Sequence, residues 1–188
     1  MSLELIGSQL NGEANGDFFG FSTALSGDGT VLAVSAPLNE GNENSDEINY
    51  DTGDGLTTDF NKARNPIKKF VGADVGSVKV YKRINGEWLR LGNEILGDHK
   101  FSFLGVSVSL SEDGSFVLIG SPIDDSFTRG HVRLYQLVNN TWTQIGSDLE
   151  HEEGTSSGGY WDWHGYSTSL SSDGSVLALG AFWNDNSP

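Results

Sequence analysis

The sequence predicts an all-β chain made of β-propeller blades: four-stranded antiparallel repeats in an open or incomplete propeller of about two and a half to three blades. Two observations carry this. Three segments align without gaps, FFGFSTALSGDGTVLAVSAP from Phe18, FLGVSVSLSEDGSFVLIGSP from Phe103 and WHGYSTSLSSDGSVLALGAF from Trp163. A second block follows the first two, GSVKVYKRINGEWLRLGNEI from Gly76 and GHVRLYQLVNNTWTQIGSDL from Gly130, at a constant offset of 54. No segment sustains a 3.6-residue apolar period, so helices are not expected. A β-sandwich is the alternative, but sandwiches rarely repeat their sequence this closely.

The first strand of each unit, such as residues 106–110, alternates apolar and small polar residues and so has two different faces. The second, residues 116–119 or 176–179, is continuously apolar and fits burial on both sides. Between them stands Ser-x-Asp-Gly-[Ser/Thr], at Asp28-Gly29, Asp113-Gly114 and Asp173-Gly174. Asp bonds its own local backbone and Gly accepts positive φ, which makes a tight hairpin turn. The third strand is residues 78–81 or 132–135. The fourth starts at Trp88 or Trp142, after Asn85-Gly86 or Asn139-Asn140. The opening LELIGSQLNG matches the end of the second block, Gly7 falling 85 residues before Gly92. The expected organisation is a tail strand within 1–17, a blade over 18–97 with an insertion at 38–75, a blade over 103–150 and a partial blade over 163–188. That gives eleven strands, too few for a closed ring of the roughly four to eight blades known. The expectation is therefore further blades in a longer chain, or a homo-oligomer.

The chain carries 26 Asp+Glu against 11 Lys+Arg, a net charge of −15. Such a surface repels phosphate backbones and anionic bilayers, so no nucleic-acid partner is expected. No stretch approaches the roughly 20 apolar residues of a spanning helix, so membrane insertion is not expected either. There is no Cys, hence no disulfide framework and no thiolate zinc site. The first residues show no basic region followed by an apolar run, so no signal peptide is visible.

Phe19-Gly20-Phe21-Ser22, with Ser35-Ala36-Pro37 or Gly120-Ser121-Pro122 closing the second strand, resembles the FG-GAP repeat. That repeat builds the seven-bladed propeller of integrin α subunits and of many surface proteins. The resemblance recurs three times and implies a surface-exposed or secreted binding and adhesion module. Integrin blades often hold calcium on an Asp-x-Asp-x-Asp-Gly loop in the first hairpin. Here that hairpin is only Ser-Gly-Asp-Gly, Ser-Glu-Asp-Gly and Ser-Ser-Asp-Gly, too few ligands for a six- to eight-oxygen shell.

Loop lengths sort by face. The hairpin turns are short, while the 2-to-3 connection spans 39 residues from Pro37 to Gly76 and 8 from Pro122 to Gly130. Long variable loops on a rigid scaffold are where binding usually resides. The same face gathers Asn39-Glu40, Asp124-Asp125 and Asn184-Asp185, acidic candidates for cationic ligand groups or else a solvated rim. Asp51, Asp54 and Asp59 lie at roughly calcium-loop spacing within the insertion, though off the twelve-residue register. Calcium is the one cofactor considered, and a merely acidic loop is the alternative. Tyr160, Trp161 and Trp183 sit beside the variable loops and suit stacking on a sugar ring. Trp161 aligns with Phe101, and Trp183 with Leu38 and Ile123, so core packing is the competing role.

No catalytic residue is assigned. Gly-x-Ser-x-[Ala/Ser] at Ser22, Ser107 and Ser167 lacks the final Gly of a nucleophile elbow and recurs on a strand in every unit. His99, His131, His151 and His164 show no metal-ligand spacing, and only Arg133 among the arginines has a basic counterpart, Lys79. The expected function is a non-catalytic binding or adhesion module that recognises protein or glycan through one loop face, extracellular or at the cell surface. The alternatives are an intracellular interaction scaffold and part of a glycan-processing propeller enzyme. The glycosylation-type triplet Asn139-Asn140-Thr141 favours exposure.

Overall fold

The computed structural model describes residues 6–41, 74–123, 130–150 and 163–181. Among these residues there are eleven strands and no helix: β1 (Thr23–Leu25), β2 (Val31–Ala36), β3 (Ser77–Ile84), β4 (Glu87–Arg90), β5 (Ile95–Leu96), β6 (Ser107–Leu110), β7 (Phe116–Ser121), β8 (His131–Val138), β9 (Thr141–Glu150), β10 (His164–Leu170) and β11 (Leu177–Ala181). They form three antiparallel sheets, none of them closed: β1-β2-β3-β4 with β5 also on β3, β6-β7-β8-β9, and β10-β11. The repeats are in register, with Thr23 opposite Val34, Val108 opposite Ile119 and Thr168 opposite Leu179.

Local chemistry explains the turns. In the first hairpin, Asp28 Oδ1 accepts from Ser26 Oγ at 2.7 Å and from the Thr30 amide at 2.9 Å. Ser26 Oγ in turn accepts from the Val31 amide at 2.9 Å. Asp113 and Asp173 repeat this set with Ser111 and Ser115, and with Ser171 and Ser175. Gly29, Gly114 and Gly174 follow at φ of 68°, 68° and 74°, where other residues are strained. Asn139 and Asn140, at φ of 50° and 61°, make the second hairpin by visiting the left-handed region twice, as a tight two-residue connection requires.

Two expectations need correcting. Residues 6–10 of the tail carry no strand; Gly7 instead packs on Trp88, and Ser8 Oγ donates to Glu87 Oε2 at 2.7 Å. The fourth strand of the first unit is broken into β4 and β5, whereas its counterpart β9 is continuous. The eleven strands among the described residues therefore divide differently from the expected set.

The sheets stack, and the core lies between them. Val31, Ala33, Val78 and Val80 from the first unit share one buried cluster with Val108, Leu110, Val117 and Ile119 from the second. A fully buried Val or Leu contributes about 1.5–3 kcal/mol, so this seam dominates the cohesion of the two units. Hydrogen bonds stitch it twice over. The Gly27 amide donates to Glu112 O at 2.8 Å, and one unit on, the Glu112 amide donates to Ser172 O at 2.9 Å. The Val108 amide donates to Ser22 Oγ at 3.2 Å, and the Leu170 amide to Ser109 Oγ at 3.0 Å.

Candidate functional site

Antiparallel order β1-β2-β3-β4 places the two hairpins at one sheet edge and the β2-to-β3 connection at the other. The described residues flanking the longest connection are Gly41 and Asp74, and a Cβ at Gly41 would fall 2.9 Å from Val75 Cγ2. Asn39 and Glu40 lead out of β2, and the Gly76 amide donates back to Asn39 O at 3.0 Å. Asp17, from the segment before the first unit, closes the group. Its Oδ2 accepts from Asn39 Nδ2 at 3.2 Å and from the Ala14 amide at 3.2 Å.

Asp74 is the unusual member. It is buried, it sits at φ 40°, and its Oδ2 has no hydrogen-bond partner. Burial, with the nearby carboxylates of Glu40 and Asp17, pushes its carboxyl up to about 7. A cation or donor brought to this side chain would relieve an unmet demand. Its main-chain oxygen accepts from the Phe103 amide at 3.3 Å, which ties the neck of the insertion to the second unit. Among the described residues no group of three or more His, Cys, Asp or Glu has the geometry to hold a metal ion.

Of the sequence-predicted site residues, Glu40 falls in this neck, half-buried. Asp124, Asp125, Tyr160, Trp161, Trp183 and Asp185 lie outside the described residues, as do Asp51, Asp54 and Asp59 of the calcium expectation. The described flanks Ile123 and Gly130, and Glu150 and Trp163, join the ends of β7 and β8 and of β9 and β10 at the corresponding edge. Asp17 and Asp74 were missed because they are 57 residues apart and neither belongs to a motif.

A second polar cluster is built into the seam. Arg133 on β8 donates through Nε and Nη2 to both oxygens of Asp148, at 2.8 and 2.6 Å, and through Nη2 to Asp98 Oδ2 at 2.8 Å. Burial pulls the guanidinium down, but the bonds to Asp148 and Asp98 outweigh it and hold the group above its usual range. The bond from Arg133 holds Asp148 below the usual carboxylate range; Asp98 is raised by burial but lowered further by the same guanidinium. The first unit repeats the arrangement with Lys79, paired to Glu94 at 3.4 Å and in close contact with Glu13. The offsets match throughout: Glu94 precedes Asp148 by 54 and Glu13 precedes Asp98 by 85. Each buried cation thus takes one carboxylate from its own fourth-strand region and one from the segment entering its unit. Applying those offsets to the acidic residues would have marked Glu94 with Asp148 and Glu13 with Asp98 as repeat equivalents, though not their contact with the cations.

Two of the three serines that mimic a nucleophile elbow, Ser22 and Ser107, are occupied by packing. Ser107 Oγ donates to Gly165 O at 2.8 Å, and Ser22 Oγ accepts from the second unit as described above. Trp142 is buried, its Nε1 donating to Leu91 O at 2.8 Å and its amide to Asn93 Oδ1 at 2.7 Å, so the end of the first unit latches the second. His131 is buried beside Arg133; burial and that charge hold its imidazole below the usual range. Compared with models of known protein families the chain matches none, and no curated protein sequence matches it.

Proposed function

We propose that the chain is an FG-GAP-like β-propeller segment acting as a non-catalytic binding or adhesion module of a surface-exposed or secreted protein, recognising protein or glycan through one loop face. One observation carries this reading. The edge that receives the short hairpins is fixed by repeated Asp, Ser and Asn turn chemistry, while the opposite edge receives all the connections of variable length. A scaffold with one constant edge and one variable edge suits recognition at the variable one. The neck at Asp17, Asn39, Glu40 and Asp74 supports it further, because an unpartnered buried carboxyl there favours a ligand with a cationic or hydrogen-donating group.

The test is a deletion of residues 42–73 bridged by a short Gly-Ser linker. Loop length costs little entropy, so folding should persist. Screening the full chain and the deletion against arrayed glycans and secreted-protein ectodomains should show binding that the deletion abolishes. Binding that survives both the deletion and Trp161→Ala with Trp183→Ala would place the ligand elsewhere.

A further inference from the structure

The same seam joins the first unit to the second and the second to the third, and it has two distinguishable sides. On the forward side, residue 31, 116 or 176 leaves the hairpin pointing toward the next unit. Val31 lies under Gly114, whose Cβ position would be 2.6 Å from the Val31 side chain. Phe116 lies under Gly174 in the same way, 2.8 Å from that Cβ position. Val176 is the third of the series; it is 66% exposed, whereas Val31 is 4% exposed. Ala178 beside it is exposed too, while its counterparts Ala33 and Leu118 are fully buried; Ser167 and Ser169 are exposed on the same strand pair.

The rear side shows the complementary pattern. Val108 and Leu110 alternate with Ser109, which bonds forward to Leu170, so they point back into the first unit's cluster. Their first-unit counterparts Thr23 and Leu25 are exposed; Leu25 is 58% exposed against 8% for Leu110. Phe21, on the same side, is 56% exposed. Nothing lies within 4 Å of the Cβ positions of Gly20 and Gly29, while Gly105 and Gly114 each meet the preceding unit closely.

The geometry points to head-to-tail docking of a second copy of this chain, the forward face around Val176 seating on the rear face around Phe21 and Leu25. Continuity with the two internal seams chooses this occupant: Val176 takes the place of Val31 under a Gly of the Ser-x-Asp-Gly turn, here Gly29 of the second copy. The Ser172 amide then donates to Gly27 O, as Glu112 does to Ser172. A contact of this kind uses different surfaces on the two partners, so it extends to a ring or a filament and does not stop at a symmetric dimer. The inference stands on the inter-unit contacts and is independent of what the loop face binds.

The test is sedimentation velocity and light scattering on the full chain with two single variants, Val176→Lys and Leu25→Lys, both at exposed side chains. Wild type should rise with concentration beyond twice the 20.2 kDa of one copy. Raising salt should strengthen the association, because it screens the charge of −15 on each copy. Each variant alone should remain at 20.2 kDa, while their equimolar mixture should form a species of two copies and nothing larger. That complementation also shows both variants to be folded. A wild-type chain that stays at 20.2 kDa across the concentration range overturns the proposal, and so does a mixture that remains monomeric while wild type associates.

Discussion

Gly29 and Gly114 provide a matched pair for measuring what the seam between units demands. They occupy the same place in the same turn and share a φ of 68°. An alanine at either position carries the backbone penalty of a left-handed non-glycine residue, about 1–2 kcal/mol. Only at Gly114 does the new methyl meet a neighbour: it falls 2.6 Å from Val31 Cβ and 2.7 and 2.9 Å from the two γ-carbons. Rotating Val31 about χ1 does not relieve a clash with its own Cβ, and the residue is buried. Overpacking of this kind typically costs about 1–3 kcal/mol more. Gly29→Ala should therefore lose about 1–2 kcal/mol and Gly114→Ala about 2–5 kcal/mol. Urea unfolding followed by tryptophan fluorescence and far-UV circular dichroism measures both, at protein concentrations low enough to keep copies apart. With an m-value of roughly 2 kcal/mol/M, the two midpoints should differ by roughly 0.5–1.5 M. Equal losses in the two variants would refute the steric role of the seam. Two neutral variants would refute the turn conformation itself.

Three further outcomes follow from the charged groups and the latch. Arg133→Leu leaves Asp98 and Asp148 facing each other without their cation and should cost about 2–3 kcal/mol, while Arg133→Lys, which reproduces the Lys79 arrangement, should cost less than half of that; thermal unfolding at pH 7 checks both. Asp74 has a raised folded-state pKa, so its contribution is fully present below the unfolded value near 3.8 and is lost as pH rises through about 7. Asp28, Asp113 and Asp173 are held below their ordinary value by Ser hydroxyls and turn amides, so their stabilisation is present above that value and lost as pH falls further. Urea midpoints should consequently decline from pH 4 to pH 7 in wild type relative to Asp74→Asn, and identical slopes in the two proteins would exclude a buried neutral carboxyl. Asn93→Ala strips the acceptor from the Trp142 amide and should lower stability by about 1 kcal/mol without shifting the fluorescence maximum of the folded state.

The sequence by itself determined the elements. An Asp flanked by Ser and followed by Gly closes a hairpin within five residues, and a period of two sorts a strand's faces, so both were legible at Asp28, Asp113 and Asp173 and along β6, while β7 was legible as a continuous apolar run. The matching offset of 54 likewise placed Val132 in a third strand and Trp142 in a fourth. Residues 6–10 carry no strand although their pattern copies the end of a fourth strand, since strand formation depends on a neighbouring edge to pair with. Tertiary structure alone decided which equivalent residues are equivalent in environment. Val31 and Val176 stand at the same repeat position, yet one is buried and the other exposed, because burial is conferred by the next unit and not by the residue. It alone also brought Asp17 to Asp74 and Asp98 to Arg133. Those contacts join segments 57 and 35 residues apart, and their energy comes from desolvation and charge at a stacked interface, which no local spacing encodes.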